Sequence, residues 1–129
     1  AQSKLAQMMF AYELQRRVQA AGKSVQVHVC HPGASRTNLL QDTASLGLRM
    51  VWNVLKRFIA QSAEKGSWPE VMCATEDGLK NETYYGPTKR GETVGPIDEC
   101  PLEEHALNQR VAAKLWTLSE QKTSLSWSP

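Results

Sequence analysis

Apolar residues return every fourth position at the start of the chain, where Ala6, Phe10, Leu14 and Val18 form one row and Leu5, Met9 and Tyr12 a second strip. Set among good helix formers, this spacing predicts a helix over 1–21 that is apolar around enough of its girth to be covered on more than one side. Gly22 marks its end, with Arg16 and Arg17 near the negative end of the dipole. The period then changes. Val25, Val27 and Val29 alternate with polar neighbours until His31-Pro32-Gly33, which cannot continue a ladder, so 24–30 reads as a short strand ending at a turn. Farther on, Met50/Val51, Val54/Leu55 and Phe58/Ile59 recur every four residues with Arg49, Asn53, Lys56 and Arg57 opposite, and Ser45 caps a strongly amphipathic helix over 45–60. Ser67-Trp68-Pro69-Glu70 has capping-box spacing and opens a third helix to about Thr75, preceded by a turn at 62–65 and broken by Asp77-Gly78. Thr83-Tyr84-Tyr85 is β-prone and stopped by Gly86-Pro87, after which the glycines and prolines up to Pro96 read as an irregular loop. Pro101 suits a first helical turn, and Leu107, Val111, Leu115 and Leu118 line one face of a last helix to about Glu120, leaving 122–129 as a tail.

The order helix, strand, helix, helix, strand, helix points to an α/β fold with a parallel sheet covered by helices. Two short strands do not make a stable sheet alone, so their partners are expected elsewhere. The 129 residues fit one domain with a real core. Charge narrows the function: 15 Lys+Arg against 13 Asp+Glu give no basic field for nucleic acid. No apolar run reaches the 18 or so residues of a membrane span, and no signal-peptide pattern opens the chain. Cys30, Cys73 and Cys100 are odd in number, widely spaced and without a CxxC, which argues against a disulfide framework or a zinc site and for a reducing, cytoplasmic setting. Lys4 opposes the helix dipole with no capping residue before it, the pattern expected of a cut through a helix.

Little of the chemistry-bearing content is specific by itself. Lys4 alone reads as a solvated lysine and Pro32-Gly33 alone as a turn, but ligands in open α/β sheets sit beyond the carboxyl ends of strands, where Pro32-Gly33 falls. His28 and His31 flank a strand end and His105 lies on a separate helix without clustered Cys or carboxylate, so no metal is expected. Cys30 beside His31 suggests a thiol nucleophile, yet a strand-end cysteine is usually buried and inert. Asn81-Glu82-Thr83 is a glycosylation sequon that matters only in the secretory pathway.

Two segments together carry a resemblance. The run Ser3-Lys4-Leu5-Ala6-Gln7-Met8-Met9-Phe10-Ala11-Tyr12-Glu13-Leu14 resembles the active-site helix of the short-chain dehydrogenase/reductases, with Lys4 as the lysine of their Tyr-x-x-x-Lys motif. His31-Pro32-Gly33-Ala34-Ser35-Arg36-Thr37 resembles the Pro-Gly-x-x-x-Thr turn after that family's sixth strand, in the form typical of its retinol dehydrogenase-like branch. Tyr84-Tyr85-Gly86-Pro87 is similar to the seventh strand and Ala113 to Ser119 to the closing helix, so the likeness runs to about Glu120. It implies the carboxyl-terminal half of a Rossmann-type doubly wound parallel sheet with helices on both faces, as a partial single domain over 1–129 whose dinucleotide-binding half is absent. The motif's tyrosine falls immediately before Ala1, and the family's serine and Gly-rich fingerprint do not occur, so the chain alone is expected to be inactive. Ser35 stands where this branch usually has Val or Ile.

The resemblance further implies hydride transfer between NAD or NADP and a carbonyl or alcohol substrate. Lys4 is then catalytic, favouring the anion of the tyrosine and bonding the nicotinamide ribose. Pro32 and Gly33 bring backbone against the nicotinamide, and Thr37 bonds the cofactor's carboxamide or phosphate, unless it serves as an N-cap. The segment after the Pro-Gly turn closes over the substrate in this family, which makes the 45–60 helix a lid with Val54 and Phe58 against an apolar substrate; core packing and a membrane surface are the other readings of its pattern. A second copy of the chain is a further expected partner. The rival to an enzyme is a catalytically inactive interaction or regulatory module derived from the same fold.

Overall fold

The computed structural model describes residues 2–34 and 61–128. The chain divides into two compact units, one of 1–29, 80–83 and 101–129, the other of 30–79 and 84–100.

In the first unit, α1 (Gln2–Ala20) realises the expected helix. It ends in a Schellman turn: Lys23 N–H donates to the Val18 carbonyl at 3.1 Å and Gly22 N–H to that of Gln19 at 2.9 Å, with Gly22 at φ +67. A one-turn 3-10 helix (Glu104–Leu107) follows Pro101, and Asn108 then caps α3 (Gln109–Thr123) by accepting from Val111 N–H at 3.1 Å. The last helix therefore begins eight residues later than Pro101 suggested, because Asn108 offers the capping oxygen that proline lacks. α1 packs on both the 3-10 turn and α3.

The buried stripe of α3 is Ala112 and Trp116, whereas Val111 and Leu118 of the expected face stay exposed, as does Leu107 in the turn before it. Alanine at 112 lets the helices approach, and the indole of Trp116 fills the space gained. Its ring stacks on Phe10 with centroids 4.7 Å apart and lies under the Arg17 guanidinium at 4.5 Å. Glu13, almost fully buried on α1, bonds Arg17 at 2.8 Å and Arg16 at 3.0 Å, and Arg16 reaches Glu82 at 2.7 Å. These pairs let a carboxylate enter the core without standing alone. The expected free tail is docked instead: α3 runs to Thr123, Ser124 turns left-handed at φ +54, and Trp127 N–H donates to Glu120 Oε1 while its ring meets Trp116.

The second unit carries a three-stranded sheet in the order β1 (Val29–Cys30), β2 (Tyr84–Lys89), β3 (Val94–Cys100). β1 is far shorter than the 24–30 expected, since Val25 is 58% exposed and Val27 N–H is taken by the Gln15 side chain, not by a neighbouring strand. The stretch read as an irregular loop is a β-hairpin. β2 and β3 pair antiparallel from Tyr84 opposite Cys100 to Lys89 opposite Val94, with an irregularity between Pro87 and Lys89. A purely parallel sheet is thus excluded here, although the mixed α/β class stands. Arg90, Gly91 and Glu92 all take positive φ, 53°, 63° and 61°, and close the turn in a way that the glycine count signalled and the β-propensities did not.

α2 (Ala63–Thr75) packs on β2. Its cap is Ser62, which accepts from Lys65 N–H at 3.2 Å; Ser67, the expected cap, instead donates to the Glu64 carbonyl. The turn foreseen at 62–65 is therefore the first turn of one continuous helix. Pro69 sits within it fully buried, its missing N–H offset by the apolar surface it covers. The 45–60 helix lies outside the described residues.

Candidate functional site

The turn after β1 is built more firmly than Pro-Gly alone requires. His31 N–H donates to the Tyr85 carbonyl at 2.9 Å, extending the β1 edge by one residue. Ala34 N–H donates to the Thr93 carbonyl at 2.9 Å, and the Ala34 carbonyl accepts from Gln61 N–H at 2.8 Å. The buried Gln61 side chain donates to the Pro32 carbonyl at 2.8 Å. The turn is thus strapped to the hairpin on one side and to the start of α2 on the other.

Gly33 is demanded by that packing. It sits at φ +64, and a Cβ there would lie 2.5 Å from Pro87 Cγ and 2.5 Å from the Thr93 carbonyl oxygen. Pro32 beside it is exposed. The result is a rigid, apolar, side-chain-poor surface beyond the end of a strand.

Around His31 the structure gathers residues that the sequence did not single out. The imidazole stacks on Tyr84 with centroids 4.7 Å apart and lies so close over Gly86 that any side chain at 86 would overlap it. Gly33 N–H donates to Nδ1 at 3.3 Å; Nε2 faces Cys100 Sγ at 3.5 Å and Glu92 Oε2 at 3.9 Å. Burial lowers the His31 pKa, partly offset by the Glu92 carboxylate. Burial likewise raises the Cys100 thiol, helped by Glu92 and Asp98, and raises the Tyr84 phenol. Cys30 and Cys73 form a thiol contact between β1 and α2, and burial pushes Cys30 up to about 12, in keeping with an inert cysteine and not a nucleophile. The signal for this cluster is tertiary: Glu92 and Cys100 reach His31 only through the hairpin that the composition disguised.

Of the expected site residues, Pro32 and Gly33 form this one turn. Lys4 lies exposed in the first turns of α1, in the other unit. Thr37, Val54 and Phe58 lie outside the described residues. In the first unit, Ala6, Gln7, Phe10, Leu115 and Ser119 line a groove of about 250 Å³.

No family model matches the chain. Individual proteins do. It is 30% identical over 127 residues to human retinol dehydrogenase 12, covering 97% of this chain and 36% of that protein. It is 30% identical over 126 residues to human retinol dehydrogenase 14, covering 95% of this chain and 34% of the relative. It is also 30% identical over 114 residues to the short chain dehydrogenase macD of Penicillium terrestre, covering 88% of this chain and 32% of that protein. The family matched is that of the short-chain dehydrogenases. A crystal structure of an uncharacterized protein from Mycobacterium paratuberculosis superposes with a TM-score of 0.70 at 32% identity, over 99% of this chain and 39% of that one. The chain thus spans about a third of the length of the short-chain dehydrogenases it matches.

Proposed function

We propose that the chain is the substrate-side part of an NAD- or NADP-dependent oxidoreductase that interconverts a carbonyl and an alcohol on an apolar small-molecule substrate, a large one if the 45–60 helix is a lid. The observation that carries this reading is the Pro32-Gly33 turn, since it stands beyond a strand end, is strapped by Gln61 and Thr93, and offers an exposed proline ring next to a residue without a side chain. A flat aromatic ring such as nicotinamide fits a surface of that kind. The nicotinamide, when bound, supplies hydride exchange with the reacting carbon.

The chain's own residues would do the rest. Pro32 and Gly33 would bear on the ring, and Thr37 would bond its carboxamide or a phosphate oxygen. Lys4 would bond the ribose hydroxyls and hold its ammonium one helical turn from the motif's tyrosine. A phenol titrates near 10, so the positive charge favours the anion and lets the tyrosine exchange a proton near neutrality. The larger architecture that goes with this reading is one Rossmann-type doubly wound domain, to which the described hairpin adds an antiparallel edge. On this reading the 45–60 helix is a lid whose Val54 and Phe58 touch an apolar substrate. Phe58→Ser then raises KM for bulky substrates and leaves the melting temperature nearly unchanged, whereas a core residue gives the reverse.

The test is made in the protein that carries this chain. Reduction of apolar aldehydes and ketones is followed by nicotinamide absorbance with NADH and with NADPH, and oxidation of the matching alcohols by the reverse signal. Turnover with one of the two cofactors supports the reading. Intact folding with neither turnover nor cofactor binding favours the inactive interaction module.

A further inference from the structure

The side chains around His31 suggest a second chemistry, independent of hydride transfer. His31 follows β1, Glu92 closes the hairpin turn and Cys100 ends β3, and their ligating atoms all lie within 4.8 Å of one another. We propose that His31, Glu92 and Cys100 form a binding site for a divalent transition ion of the zinc type, with water in the fourth position.

The donor set selects the ion. One thiolate, one imidazole and one carboxylate are softer than the all-oxygen shells that hold magnesium or calcium, and three protein ligands leave a tetrahedral ion one open place. The spacing is close to what such an ion needs. Bonds of about 2.0 to 2.3 Å at tetrahedral angles put nitrogen and sulfur about 3.6 Å apart and nitrogen and oxygen about 3.4 Å apart. His31 Nε2 and Cys100 Sγ already stand at 3.5 Å. Glu92 Oε2, 3.9 Å from Nε2 and within 4.8 Å of Cys100 Sγ, must close by up to about 1 Å, on a side chain that is 37% exposed at the hairpin turn. The other two ligands are preorganised: Cys100 is buried, and the imidazole is held between the Tyr84 ring and the bare Cα of Gly86.

The protons balance. Without metal, the bond from Gly33 N–H to Nδ1 leaves the imidazole proton on Nε2, facing the other two ligands. On binding, the ion takes the Nε2 lone pair, the imidazole stays neutral with its proton on Nδ1, and the Cys100 thiol loses its proton to solvent as the sulfur–metal bond forms. One proton is released per ion. The Gly33 amide must then give up Nδ1 as its acceptor, so loading the site loosens one tie of the Pro32-Gly33 turn.

The experiment titrates the protein that carries this chain with cobalt(II) and follows the thiolate-to-cobalt charge-transfer band. Expected are one equivalent bound, tetrahedral visible bands, displacement by zinc, and faster hydrogen exchange of the Gly33 amide on loading. Cys100→Ser abolishes the charge-transfer band, while Cys73→Ser leaves it unchanged. Glu92→Gln, at a partly exposed turn position, weakens binding by more than about tenfold without moving the metal-free melting temperature. It carries the test if the buried Cys100→Ser variant does not fold. The proposal is overturned by the lack of a charge-transfer band, by a band that survives Cys100→Ser, or by a Glu92→Gln variant that binds cobalt as tightly as the parent.

Discussion

Replacing Gly33 by alanine asks the Pro32-Gly33 turn to accept a methyl group on two counts. The backbone sits at φ +64, where an L residue costs about 1 to 2 kcal/mol. The new Cβ would also fall 2.5 Å from Pro87 Cγ and 2.5 Å from the Thr93 carbonyl oxygen, and the latter is backbone that cannot swing aside. Overpacking of this sort costs typically about 1 to 3 kcal/mol more. The total of about 2 to 5 kcal/mol corresponds to a melting temperature lower by roughly 8 to 20 °C for a chain of this size. Gly91→Ala isolates the first contribution, because Gly91 has nearly the same φ, +63°, with nothing within 4 Å of its Cβ position. Urea unfolding of both variants followed by circular dichroism reads the difference directly. Gly33→Ala is expected to lose at least about 1 kcal/mol more than Gly91→Ala at equal slope. Equal losses would refute the argument that the turn is pressed against the hairpin.

Two other outcomes follow from the titrating groups. At pH 8, a Cys30 thiol at about 12 carries about a thousandfold less thiolate than one at its ordinary 9.0, so alkylation mapped by mass spectrometry is far slower in the folded chain than in urea. Because folding raises that pKa, its contribution to stability is full below about pH 9 and is lost as the pH rises toward 12. The N–H of Trp127 on Glu120 holds that carboxyl below its ordinary value, so the folded form binds fewer protons there and the docked tail loosens as the pH falls through the carboxylate range. The fluorescence difference between the parent and Trp127→Phe reports it: a difference that persists unchanged into acid contradicts the contact.

Local rules read the extent of α1 well, because its arginines and Gly22 agree and the Schellman turn at Gly22 is their direct product, but of the row Ala6, Phe10, Leu14 and Val18 only Val18 is buried. They failed where one residue type serves two purposes. Gly86, Pro87, Gly91 and Gly95 look like loop punctuation, yet Gly86 makes room for His31, Gly91 turns the hairpin and Pro87 is buried in β2. On α3 the aliphatic row was only partly right: Leu115 faces α1, but Val111 and Leu118 stay in water, since stacking of Trp116 on Phe10 under Arg17 sets the buried face. The Pro32-Gly33 turn was legible as a site, but Gln61, Tyr84, Glu92 and Cys100 were not. They come to it from 29 to 69 residues away in sequence, through pairings that no local period encodes.

The proposed oxidoreductase function is tested most directly at Lys4, on α1. In the protein that carries this chain, kcat and the dissociation constant of the nicotinamide cofactor are measured for the parent and for Lys4→Ala. Losing a group that supports the proton-exchanging tyrosine lowers kcat by about 10²- to 10⁴-fold, and losing the ribose contact weakens cofactor binding in the same variant. A folded Lys4→Ala protein with both values unchanged would contradict the account.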